Sequence, residues 1–139
     1  MSIGVKRMKT VVQPATVWDP QWRYAQALLL TKPRKLLFIA AQTAMDEPGE
    51  VVGKGNVEAQ TKRVLDNMKA ILAAAGGSFG DLVKITTDVT DAQHSSGMYS
   101  ARQRYFGDGR PTSTTVVVKG LAREEFLVEM EAIAVLPDS

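Results

Sequence analysis

Two glutamates two residues apart, Glu129 and Glu131, sit in the apolar run 127–133. Strand alternation puts both acids on one face and Val128, Met130 and Ala132 on the other. Their Cα atoms are then roughly 6.6–6.8 Å apart, so the two charges interact unless one is paired or protonated. One reading is a wetted outer sheet face. The other is a partly buried subunit contact, since Ile133 and Val135 continue the same face with apolar groups; there a carboxyl of raised pKa acts as acid or base. The residues alone leave both open.

Upstream, the turn Arg110-Pro111-Thr112-Ser113-Thr114 continues into Thr115, giving four hydroxyls without a histidine or lysine placed to activate one. Their use is to bind a carboxylate or a water. Tyr24, Tyr99 and Tyr105 offer phenols, though tyrosine also fills cores and interfaces, the reading favoured for Tyr105. His94, among Gln93, Ser95 and Ser96, has no second imidazole or spaced carboxylate for a relay and reads as an exposed polar residue. The glycines from Gly49 to Gly55 lack phosphate-loop spacing, and Lys54 is followed by Gly rather than Ser or Thr, so this is an ordinary loop.

The wider composition shortens the catalytic menu. No cysteine and one histidine remove thiolate nucleophiles, cysteine metal sites and histidine clusters, so no metal or cofactor is expected. Seventeen basic residues against fifteen acidic ones, scattered apart from Lys6-Arg7-Met8-Lys9, make nucleic acid an unpromising partner. Leu28-Leu29-Leu30 is interrupted at 31–35 before Leu36-Leu37-Phe38-Ile39, too soon for a bilayer span. With no apolar stretch behind the N-terminal cations and no disulfide framework, a cytoplasmic location is expected.

The elements that must hold these residues follow from periodicity. Residues 1–23 read as an irregular leader with one strand, broken by Pro14 and Pro20 and anchored by Trp18 and Trp22; with it, 1–139 forms a single domain. Runs 24–30 and 36–41 read as a hairpin with Pro33 outside the ladder. Helical spacing from Val57 to Ala75 predicts a helix over 56–75, capped by Asn56 and stopped by Gly76-Gly77. Alternation over 83–89 predicts a half-buried strand. A second helix carries Met98, Ala101, Arg102, Tyr105 and Phe106 up to the glycines at 107 and 109, and strands follow over 114–119 and 126–136. The order ββαβαββ gives an α+β sandwich, with two helices on one face of a mostly antiparallel sheet and the other face bare.

Several stretches in order resemble the RidA/YjgF family, also called the endoribonuclease L-PSP family: Tyr24-Ala25-Gln26-Ala27, Leu37-Phe38-Ile39-Ala40-Ala41-Gln42, Glu58-Ala59-Gln60-Thr61, Asn67, 72–77, Arg110-Pro111 and 128–134. The resemblance implies a chorismate-mutase-like fold, a homotrimer whose sheets form a central barrel, and intersubunit clefts that hold a small metabolite. It also implies hydrolysis of enamines or imines. Glu129 then matches the acid that orients the attacking water, Tyr24 the tyrosine near the cleft, and Thr114 or Ser113 a group positioning ligand or water. Deaminating members read Pro-x-Arg-Ser/Thr at the turn, where the arginine grips a substrate carboxylate; here Ser113 stands in its place, a neutral hydroxyl instead of a charged fork. Arg110 lies on the wrong side of Pro111, leaving Arg23, Arg102 or a neighbour's basic residue to supply charge. Tyr99 replaces a frequent asparagine, and Ala40-Ala41 a usual Ser-Gly. The expected function is a RidA-like hydrolase with a shifted substrate. The alternative is a trimeric metabolite-binding protein without turnover; RNA cleavage, ascribed to some relatives, lacks a basic-aromatic stripe here.

Overall fold

The computed structural model describes residues 8–21, 23–33 and 35–138. Its central strands are the two with the cleanest patterns. Leu82–Val89 (β4) turns Ile85, Thr87 and Val89 inward and Lys84, Thr86 and Asp88 outward. Val128–Leu136 (β6) runs antiparallel to it, with Val128, Met130, Ala132 and Ala134 buried. Lys35–Gln42 (β3) pairs antiparallel with the far side of β6, and Thr112–Val117 (β5) lies parallel to β4. The order is β3-β6-β4-β5. Parallel neighbours require a crossover, which the turn Ala92–His94 and the helix Ser95–Phe106 (α2) supply.

Helix α1 (Val57–Ala74) begins where Asn56 Oδ1 accepts from Ala59 N at 3.0 Å, a cap that stabilises a helix by about 1 kcal/mol. It stops at Ala75, followed by Gly76 in the left-handed region at φ 84°; Gly77 N then donates to Leu72 O at 2.8 Å. Val64, Leu65, Met68 and Leu72 from this helix meet Ile85, Met130 and Ala134 from the sheet in the core, joined by Met98 of α2.

Gln60 is fully buried in that layer for a reason. Gln60 Nε2 donates to Glu125 O at 2.8 Å and Gly53 O at 3.2 Å, and its Oε1 accepts from Leu127 N at 2.8 Å. The amide thus fixes the chain at the start of β6, two residues before Glu129. Gln60→Leu leaves buried backbone groups unpaired and is expected to destabilise the protein by about 2–4 kcal/mol, measurable by denaturant unfolding; an unchanged midpoint would show that water replaces the amide.

One expectation is corrected. Runs 24–30 and 36–41 are not a hairpin: Ala27–Leu30 (β2) pairs antiparallel with Lys9–Val12 (β1) in a separate two-stranded sheet, from Lys9↔Leu30 to Val12↔Ala27. The physical reason is the turn, where Lys32 takes φ 52° and Thr31 N bonds back to Met8 O at 2.8 Å, so the chain leaves one sheet before entering the other. The four-stranded sheet is mostly antiparallel, as expected, with β5 parallel to its neighbour because α2 carries the chain over. The leader strand is β1. Trp22 lies outside the described residues, and no helix among these is long and apolar enough to cross a membrane.

Candidate functional site

Helix α2 is set by Asp91, whose Oδ1 accepts from Gln93 N at 2.8 Å and opens the turn leading into it. The helix lays Tyr99 and Arg102 against β5. In the β4–β5 ladder Ser113 is opposite Ile85 and Thr115 opposite Thr87, both inward residues, so the two hydroxyls face the helix. Tyr99 OH and Thr115 Oγ1 are 2.7 Å apart, and Arg102 Nη1 donates to Ser113 Oγ at 2.9 Å. Arg102 is only 3% exposed. Its guanidinium carbon lies 4.7 Å from the Phe106 ring centroid and 5.3 Å from that of Tyr99, contacts that favour a cation. Burial lowers its pKa to about 10, with the charge interaction of Tyr99 acting the other way; it remains a cation at neutral pH.

The N-terminal segment closes over this helix. Ala25 forms a parallel bridge to Thr112, with Ala25 N donating to Pro111 O at 3.1 Å. Arg110 spends its fork on the same segment, donating from Nε and Nη2 to Tyr24 O at 3.2 and 3.0 Å, and its Nη2 stands 3.9 Å from Asp19. Gln26 Nε2 holds Trp18 O at 2.9 Å. The Trp18 ring, expected to anchor the leader onto the domain, is 63% exposed, at the rim of a cavity of ≈ 400 Å³ lined by Trp18, Arg23, Tyr24, Tyr99, Arg102 and Phe106.

The acids are on the other side of the sheet. Glu129 faces Asp88 across β6–β4, Glu131 faces Thr86, and Thr86 in turn faces Thr114 of β5. Partial burial, a hydrogen bond with Asp88 and the charges of Asp88 and Glu131 push the Glu129 carboxyl up to about 7. Two carboxyls share a hydrogen bond only when one carries the proton. Because the folded state holds that proton after an unfolded glutamate has lost it, stability should fall as pH rises from about 4.5 to about 7. Thermal melts across this range should show the decline in the wild type and a flatter curve in Glu129→Gln; parallel curves would contradict the shared proton. Further along β6 the same face carries exposed apolar groups, Phe38 at 70% opposite Ile133 and Leu36 at 51% opposite Val135.

The residues singled out in the sequence therefore fall in three places. Tyr24 and Tyr99 line the cavity, with Ser113 behind it, tied to Arg102. Glu129 and Thr114 are on the opposite, bare face. Ala41 borders a third groove, beside Asn67, whose Nδ2 donates to Met45 O at 3.0 Å, and Arg63, whose Nε donates to the same carbonyl at 3.1 Å. Tyr105 is away from the cavity, donating to Asp66 Oδ1 at 2.7 Å, and His94 is half-buried rather than exposed. The sequence pattern carries no sign of Asp88 as a partner of Glu129: alternation places it outward, and only the register puts it against the acid.

A family model described as Endoribonuclease L-PSP matches residues 16–136. The chain belongs to the RidA/YjgF family. A RutC family protein of Pyrococcus abyssi is 42% identical over 127 residues, covering 91% of this chain and 96% of that protein. A 3-aminoacrylate deaminase, RutC, of Acinetobacter baylyi is 29% identical over 126 residues, with 91% and 97% covered. The crystal structure of the Rid protein YyfB of Yersinia pestis superposes with a TM-score of 0.84 at 29% identity, covering 94% of this chain and all of that one. The α+β architecture of this Rid chain is thus the family's.

Proposed function

We propose that this Rid protein hydrolyses a small unsaturated amino or imino acid to its carbonyl compound and ammonia, with Glu129 as the acid/base. The observation that carries the reading is the Glu129 carboxyl, poised near neutrality against Asp88, since proton transfer is most effective from a group whose pKa lies near the working pH. The named activity of the Acinetobacter relative supports the reaction class. An enamine C=C–NH2 first takes the Glu129 proton on carbon, becoming an iminium ion. The resulting carboxylate then accepts a proton from the water that adds to the C=N carbon. Collapse of the carbinolamine expels ammonia, so the sum is enamine plus water giving carbonyl plus ammonia.

Glu129 and the cavity beside Arg102 lie on opposite faces of one sheet. A substrate bordered by both is therefore bordered by two copies of the chain, which fits a homotrimer with its ligand in an intersubunit cleft. The exposed Leu36 and Phe38 on the bare face favour the same assembly, because large apolar groups standing out from a sheet face call for a cover. Freshly generated 2-aminoacrylate should release ammonia faster with the protein than without it. Equal rates, with the chain folded and trimeric, would overturn the proposal in favour of a metabolite-binding role.

A further inference from the structure

Arg102 is a poor choice for packing alone. A guanidinium has five N–H donors, and among the described residues one protein hydrogen bond is made, to Ser113 Oγ. The residue is nearly inaccessible, it borders the cavity, and no carboxylate is paired with it among the described residues. Buried charge of this kind is costly without a counter-ion. The aromatic groups around it stabilise a cation weakly compared with an anion, and they also define a shape: Tyr99 and Phe106 flank the guanidinium, and Trp18 stands at the rim. A cavity of ≈ 400 Å³ falls in the range that holds small ligands.

Building on the deaminase reading, we infer that Arg102 is the carboxylate anchor of this chain, and that the cavity takes a planar acid whose unsaturated or aromatic body lies among Tyr24, Tyr99 and Phe106. Ser113 is then a positioning residue. Its short side chain leaves the corner where a longer one would collide with the fork, and its hydroxyl fixes one nitrogen so that the remaining donors open toward the ligand. Arg110 does not compete for this role, since its Nε and Nη2 are bound to Tyr24 O. Arg23, on the cavity wall, is exposed and so lacks the burial that marks Arg102.

Calorimetric titration of the full chain with benzoate and with benzamide, its neutral near-isostere, tests the anchor. Benzoate should bind at least about tenfold more tightly than benzamide, as expected for a charge-assisted contact. That preference should vanish in Arg102→Met with benzamide binding retained. If Arg102→Met fails to fold, Ser113→Asp decides the matter, because an acid beside the fork should occupy it and abolish the preference in a folded protein. Equal binding of the two probes by the wild type, or a preference that survives in a folded Arg102→Met or Ser113→Asp protein, overturns the anchor. Ammonia release is read separately: benzoate preference dependent on Arg102 supports the anchor even where turnover is absent, and turnover without that preference refutes it.

Discussion

Glu129→Gln is expected to slow ammonia release from 2-aminoacrylate by about 10²–10⁴-fold, the usual contribution of a positioned acid or base. The amide keeps the size and hydrogen-bonding capacity of the carboxyl but cannot deliver a proton to carbon or take one from water. The loss should therefore appear in kcat with little change in KM, because the missing interaction belongs to the transition state. The wild-type rate should fall as pH rises through about 7, where the shared proton leaves Glu129, and the residual rate of the variant should lack that limb. A variant as fast as the wild type would remove Glu129 from the chemistry, whatever its pKa.

A second large effect is expected on mixing two inactive proteins. If a substrate lies between Arg102 of one copy and Glu129 of the next, Arg102→Met and Glu129→Gln homotrimers are both crippled, yet refolding them together rebuilds intact sites. In random trimers a cleft is whole when the copy giving Arg102 carries the Glu129 change and the copy giving Glu129 carries the Arg102 change, so about a quarter of wild-type activity should return. Were both residues drawn from one chain, no mixed trimer would contain an intact site. Mixing therefore distinguishes a shared cleft from a self-contained one, and activity no higher than the parents would rule out the shared arrangement.

What is legible in the chain is what repeats locally. Asn56 and Gly76 mark the two ends of α1 because capping is a matter of a few adjacent atoms, and β4 declares its faces because side chains alternate with period two. Partners were less legible. The run 24–30 is apolar enough for a strand, but nothing in its own pattern says that β1 rather than β3 lies beside it. The pairing of Glu129 with Asp88 depends on register across two strands far apart in sequence. Arg102 was visible on α2 as one of several candidate cations; that it reaches Ser113 follows only from the parallel crossover, which sets the inward hydroxyls of β5 under the helix.

That crossover also leaves β5 as the last strand of its sheet, with one backbone bridge, from Ala25 to Thr112, on its outer side among the described residues. From Ser113 to Val117 the strand offers a row of amide and carbonyl groups beside exposed Val116 and Val117, the kind of margin that adds foreign strands and seeds aggregation unless something covers it. Closing three sheets into one barrel would remove that hazard and build the cleft in the same act, so in this protein solubility and catalytic competence would share one assembly step.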